Sequence, residues 1–203
     1  GGRACAAGTD ISQFQDFGSV EKALGYERRM EEVLVAIERC RVPTIAAVAG
    51  ICTGGGVAIA LACDIRLAAR DIQIGVPIAR TLGNCLSNKN LERLARVIGA
   101  GRTMELMLTA RLMGAEEACA AGLVSEILDT HSGVLARAIE LAGTLAGHAP
   151  LTIRATKEAL RRLRDEGTGA RDEDLIEMCY TSADFREGLE SFLAKRKPVW
   201  TGR

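Results

Sequence analysis

Residues 42–63, Val-Pro-Thr-Ile-Ala-Ala-Val-Ala-Gly-Ile-Cys-Thr-Gly-Gly-Gly-Val-Ala-Ile-Ala-Leu-Ala-Cys, carry no charged side chain and hold the step Gly54–Gly55–Gly56 at their middle. The pattern predicts a buried strand, a tight glycine turn and the start of a buried helix. Such a turn leaves backbone N–H groups without helical partners, backed by the positive end of the helix dipole, so it favours an anion or a developing oxyanion. A phosphate-binding P-loop is disfavoured because no Lys follows the glycines. Close helix–strand packing is the alternative reason for the glycines. Further along, Arg80, Thr81, Asn84, Cys85, Ser87 and Asn88 are the polar groups of a loop-like stretch. Arg80 and Asn84 suit a carboxylate, a carbonyl or a water; a solvated Arg and loop-forming Asn residues explain them equally well. No His lies close enough in sequence to activate Cys85.

The chain that must position these groups has 203 residues, 48% of them hydrophobic and 26% charged, which suits a globular protein and excludes disorder. Aromatic residues are only 3%, so Ala, Leu, Val and Ile must form the core. Lys plus Arg and Asp plus Glu both number 26, which gives no reason to expect nucleic acid. The seven cysteines are scattered without Cys-x-x-Cys spacing or a nearby His, as reduced core thiols of a cytoplasmic protein would be, and they indicate no metal site. Pro43, Gly50 and the glycine triplet argue against reading 42–63 as a membrane span. The chain opens Gly1-Gly2-Arg3 without Met, and a missing N-terminal part is the expectation, with an exposed sheet edge as its consequence.

Met30, Val33, Leu34 and Ile37 recur at helical spacing and predict an amphipathic helix over 27–40, ended by Pro43. A strand over 45–49, a turn over 50–54 and a helix over 55–63 follow. Strands are expected at 64–69 and 72–75, and Asp10 suits the cap of the short segment after it. Residues 76–90 read as irregular, 91–98 and 102–109 as helices, 115–121 as a short helix and 123–128 as a strand. From 133 the pattern is helical. The organisation is an α/β body, 1–130, followed by a helical region, 131–203.

At this point the sequence resembles the crotonase (enoyl-CoA hydratase/isomerase) superfamily, over nearly its whole length. Ala4-Cys5-Ala6-Ala7-Gly8-Thr9-Asp10-Ile11 is similar to one family element, and Pro43-Thr-Ile-Ala-Ala-Val-Ala-Gly50 with Gly54–Gly56 and Cys63-Asp64-Ile65 to a second. Met107-Leu-Thr-Ala-Arg-Leu-Met-Gly-Ala-Glu-Glu-Ala with Ala121-Gly-Leu-Val is similar to a third. The tail Asp184-Phe-Arg-Glu-Gly-Leu-Glu-Ser-Phe-Leu-Ala-Lys-Arg-Lys197 is similar to the family's C-terminal helix. The resemblance implies a crotonase-like ββα core with a helical trimerisation region, assembling as a homotrimer or hexamer. It implies no resident cofactor or metal and a coenzyme A thioester as substrate. Its oxygen would be held by the backbone N–H groups of Thr9 and Gly55, with CoA contacts around Ala7, Thr9, Asp10, Ile11, Gly55, Phe192 and Lys195.

The same resemblance puts Ala58 and Ile78 where the family's hydratases carry their two glutamates, and neither side chain moves a proton. Residues 51–63 and 72–91 contain no Asp or Glu at all. Asp16, His131 and His148 read as surface or capping residues. The expectation is an acyl-CoA enzyme that stabilises a thioester enolate by an isomerase, decarboxylase or other non-hydratase route. The alternatives are an inactive acyl-CoA-binding pseudoenzyme, or a hydrolase of the same fold using Cys85 or Ser87.

Overall fold

The computed structural model describes residues 4–6, 8, 11–16 and 18–203, with the backbone alone at Ala4, Cys5, Gln13, Gln15 and Asp16. Its residues group into two compact units, Gly1–Glu38 with Thr44–Ile139, and Arg39–Pro43 with Glu140–Arg203. The division therefore falls inside a helix, α7 (His131–Ala146), rather than ahead of it at 130/131.

The first unit is a ββα spiral. Strands β2 (Ile45–Val48) and β3 (Ile51–Thr53) are consecutive in the chain but enter different sheets, because the backbone turns at Ala49–Gly50, where Gly50 has φ 62°. Helix α2 (Gly55–Ala62) follows, and then β4 (Ile65–Ala69) and β5 (Gln73–Gly75) repeat the step. One sheet has the order β1–β3–β5, with β1 at Ala4–Ala6; the other has β2–β4–β6, with β6 at Glu126–Leu128. Every pairing between these strands is parallel, with Ile45 opposite Ile65 and Ile51 opposite Gln73, and an isolated antiparallel bridge joins Ile74 of β5 to Met113. The expected turn over 50–54 is thus corrected. Ile51-Cys52-Thr53 is a strand, as its β-branched residues permit, and the turn is shorter.

Parallel strands need both faces covered. Val48, Leu67, Ala68, Ala69 and Ile74 are almost or wholly inaccessible, and α2 is buried at every residue except Gly55 and Ile59. Asp64 fixes the start of the β2–β4 pair by accepting bonds from the Thr44 N–H (2.7 Å) and hydroxyl (2.9 Å). Arg66 donates to the carbonyls of Cys63 (2.6 Å) and Leu123 (2.8 Å), joining the C-terminal end of α2 to the segment before β6.

Helix α1 runs over Val20–Glu38, longer at its start than its apolar spacing suggests and ending before Pro43. Leu34 packs with Ala58 and Ala62 of α2, with Ile37 beside them, whereas Val33 is half exposed. The stretch read as irregular holds a short helix, α3 (Ile78–Thr81), and the start of α4 (Asn88–Ile98), which Ser87 caps by accepting the Asn90 N–H. Helices α5 (Ala100–Thr109) and α6 (Ala115–Ala120) complete this unit with the first part of α7. Among the described residues no helix is long and apolar enough to cross a membrane.

The second unit is helical: α8 (Pro150–Glu166), α9 (Glu173–Tyr180) and α10 (Ala183–Leu193), with a 3-10 turn at Gly167–Gly169. Its tail is held by Asp184, which is 3% exposed and accepts from the Thr201 N–H (2.7 Å), the Thr201 hydroxyl (3.0 Å) and the Gly202 N–H (2.9 Å). Burial alone would raise the Asp184 carboxyl, but these donors outweigh it and hold its pKa below the ordinary value. An Asp184→Asn substitution should lower stability by about 1.5–3 kcal/mol, the range for hydrogen bonds to a charged group, as read by urea denaturation. A depressed folded-state pKa makes this stabilisation present above the ordinary Asp value and lost as pH falls below it. The wild type should therefore converge on the variant in acid.

Candidate active site

Gly54 precedes α2 in a conformation, φ 54° and ψ −121°, that a side chain resists. The first helical bond runs from the Ala58 N–H to the Gly54 carbonyl (3.2 Å), so the N–H groups of Gly55, Gly56 and Val57 lie ahead of it. Among the described residues none accepts the Gly55 N–H. Gly56 has a different task. A Cβ there would run into the backbone carbonyl of Ala6 on β1 and come within 2.8 Å of the Ala6 Cβ. The triplet therefore divides: packing requires Gly56, backbone conformation requires Gly54, and the exposed donor is at Gly55.

Strands β1 and β3 run parallel, with Ala6 opposite Cys52. A Cβ on Gly54 would lie 3.8 Å from the Gly8 Cα, and Gly8 itself has φ 110°. Ala7, Thr9 and Asp10 lie outside the described residues, as does the Asp16 side chain. Their expected oxyanion, CoA-binding and capping roles therefore have no geometry to set beside that of Gly55. Ile11, at the start of the 3-10 helix Ile11–Asp16, is exposed beside this junction.

Gly8, Gly54 and Gly55 form one wall of a cavity of about 280 Å³. Its apolar lining includes Met30 and Leu34 from α1, Ala58 from α2, and Val76 and Ile78. Both positions expected to lack a carboxylate, 58 and 78, thus face the same hollow as the Gly55 amide. Asn84 and Cys85 line it too, with Thr53, Thr81 and Asn90 as further polar groups. Arg80 is exposed on α3 and is not among the lining residues. Ser87 acts as the α4 cap, and His131 bonds Asp71 through Nε2 at 2.7 Å, away from the cavity lining.

A wider hollow of about 910 Å³ shares Ile11, Phe14, Tyr26, Glu27, Leu82, Asn84 and Cys85 with the cavity and adds Ser12, Ala23, Leu24 and Gly83. Phe14 and Tyr26 meet edge to face at 5.2 Å between ring centres. Phe192 and Lys195 belong to the second unit. Phe192 is 82% exposed and lines a separate hollow there with Leu189 and Trp200, and Lys195 follows α10 in a left-handed conformation, φ 54°.

Glu27 is the residue that sequence reasoning passed over. It is the one carboxylate among the described residues lining either hollow. Burial, and then the neighbouring Glu31 carboxylate, push its pKa above the ordinary value. Glu31 goes the other way, chiefly because Arg93 of α4 donates two bonds to it (2.7 and 2.8 Å). Arg93 also holds Glu38 (2.9 and 3.2 Å) and the Asn90 side-chain oxygen (3.1 Å). A signal for Glu27 existed: Glu27, Met30 and Leu34 are spaced i, i+3, i+7, which carries the apolar stripe of Met30, Val33, Leu34 and Ile37 one helical turn back.

The family model described as enoyl-CoA hydratase/isomerase matches residues 1–203. A mevalonyl-coenzyme A hydratase of Beauveria bassiana is 31% identical, covering 98% of this chain and 75% of its own. An enoyl-CoA isomerase/hydratase of Mycosarcoma maydis is 34% identical, covering 100% and 74%. Among solved structures, an enoyl-CoA hydratase/carnithine racemase from Magnetospirillum magneticum superposes with a TM-score of 0.90 at 36% identity, covering 100% of this chain and 76% of that one. This chain has the crotonase-like α/β fold of such solved structures.

Proposed function

Because the chain belongs to the enoyl-CoA hydratase/isomerase family, we propose that it binds an acyl-CoA thioester and stabilises the enolate formed from it. The observation that carries this reading is the unpartnered Gly55 N–H at the wall of an apolar cavity. Removing the α-proton of a thioester moves negative charge onto its oxygen. A fixed amide aimed at that oxygen, away from water, is worth about 2.7–4 kcal/mol in comparable sites. Thr9 is proposed as the second donor, on family resemblance, and the parallel pairing of β1 with β3 is consistent with it.

The bound CoA would run past Ile11 and the backbone around Ala7 and Asp10, with Phe192 and Lys195 as further contacts, Lys195 suiting a phosphate as a point charge. Asn84 would bind a polar group of the acyl chain. The assembly expected of such a chain is a homotrimer or a dimer of trimers.

Ala58 and Ile78 disfavour ordinary hydration, which needs a carboxylate to position water and another to handle the α-proton. The same two residues favour one rival, a binding protein without turnover. In deuterated water the protein should exchange the α-protons of butyryl-CoA, followed by mass spectrometry, while hydration of crotonyl-CoA stays at background. Binding without exchange would establish the pseudoenzyme instead, and rapid hydration would contradict the role given to positions 58 and 78.

A further inference from the structure

We propose that Glu27 is the acid–base residue of this site, taking the α-proton of the bound thioester and returning it. The inference rests on the acyl-CoA reading above and goes beyond it by naming a proton carrier from α1, an element that the resemblance gave no catalytic role.

Placement comes first. Glu27 lines the cavity that contains the Gly55 amide, on the helix face that also brings Met30 and Leu34 there. Positions 58 and 78 are Ala and Ile, so among the described residues no other carboxylate reaches this hollow. Glu27 has no ion-pair partner among them, whereas Glu31, one turn along, is bound by Arg93 and lies 3.3 Å from Lys89. The two carboxyls therefore differ in kind. Arg93 and Lys89 hold Glu31 ionised, while Glu27, partly buried beside that charge, is the stronger base of the two. Carboxyls pushed apart in this way are the usual arrangement of a structural and a proton-transferring acid. Among the described residues, the remaining titratable groups lining the two hollows are the Tyr26 hydroxyl and the Cys85 thiol.

The chemistry balances with one carboxylate. The C–H bond beside the thioester carbonyl breaks and its proton passes to the Glu27 carboxylate. The electron pair becomes the enolate, with its charge on the oxygen facing Gly55. When the Glu27 carboxyl trades that proton for a solvent deuteron and delivers it to the same carbon, the result is exchange; return of a proton to the far carbon of a conjugated enolate is a double-bond shift. Neither consumes another reactant, and neither needs the second acid that water addition requires.

The test uses the full chain with butyryl-CoA and 3-butenoyl-CoA. A Glu27→Gln substitution keeps size and shape at a half-exposed position, so folding and acyl-CoA affinity by calorimetry should be unchanged. α-Proton exchange should fall about 10²–10⁴-fold, and Glu27→Asp should retain part of the rate. The wild-type rate should rise with pH through a limb above the ordinary Glu value, since the carboxylate is the base, and that limb should be missing in Glu27→Gln. Wild-type exchange that persists in Glu27→Gln overturns the role of Glu27 and leaves the enolate reading standing. A wild type that binds both thioesters without exchange overturns both.

Discussion

Replacing Arg93 with methionine should remove about 3–5 kcal/mol of stability, because it breaks a buried ion pair by deleting one member. The Arg93 and Glu38 side chains are 4% and 6% exposed, and the guanidinium spans Glu31, Glu38 and Asn90. Burial by itself would lower the Arg93 pKa, but its bonds to the two glutamates outweigh that and raise it. The double replacement Arg93→Met with Glu38→Met should recover most of the loss, since apolar side chains of similar volume often match a buried ion pair. Urea denaturation of the wild type and both variants separates an unpaired charge from simple loss of packing. The consequence reaches the site. Arg93 and Asn90 are on α4, while Glu31 and Glu38 are on the helix that brings Glu27, Met30 and Leu34 to the cavity. Loosening this junction in Arg93→Met should weaken acyl-CoA binding along with stability.

The second large effect is expected at Gly56. An alanine there meets backbone on β1 rather than the end of a flexible side chain, so the strand or the helix must move. Overpacking of this kind costs about 1–3 kcal/mol. Displacing β1 from α2 also separates Gly8 from Gly54, and acyl-CoA binding should fall together with the denaturation midpoint. Gly101, on α5, makes the contrast. Nothing lies within 4 Å of its added Cβ, so Gly101→Ala should be neutral or stabilising by up to about 1 kcal/mol. Equal effects at the two glycines would remove the close approach of β1 and α2 as the reason for glycine at 56.

Much of the scaffold could be read from neighbouring residues. The uncharged run from 42 to 63 told of burial on all sides, and the glycines at 54–56 told of a turn into a helix. Both signals are local, set by backbone conformation and by the exclusion of charge from an interior. The absence of Asp and Glu from 51–63 and 72–91 is likewise a fact of composition, and it removed two proton carriers before any geometry was known.

Tertiary structure decided what meets what. That β2 and β3 enter separate sheets follows from a bend at Gly50 and from pairing partners some twenty residues away, which no local pattern reports. The division of the glycine triplet into conformational, donor and packing positions required the neighbouring strand β1. Arg80 and Asn84 looked equivalent as loop polar groups, yet one points from a short helix into solvent and the other lines the cavity. Glu27 looked like one more charge on an amphipathic helix. Its separation from Glu31 depends on Arg93, 66 positions further along the sequence, and on the docking of α1 against α4. Sequence spacing reports the face of a helix, but which groups share a cavity is fixed by long-range packing.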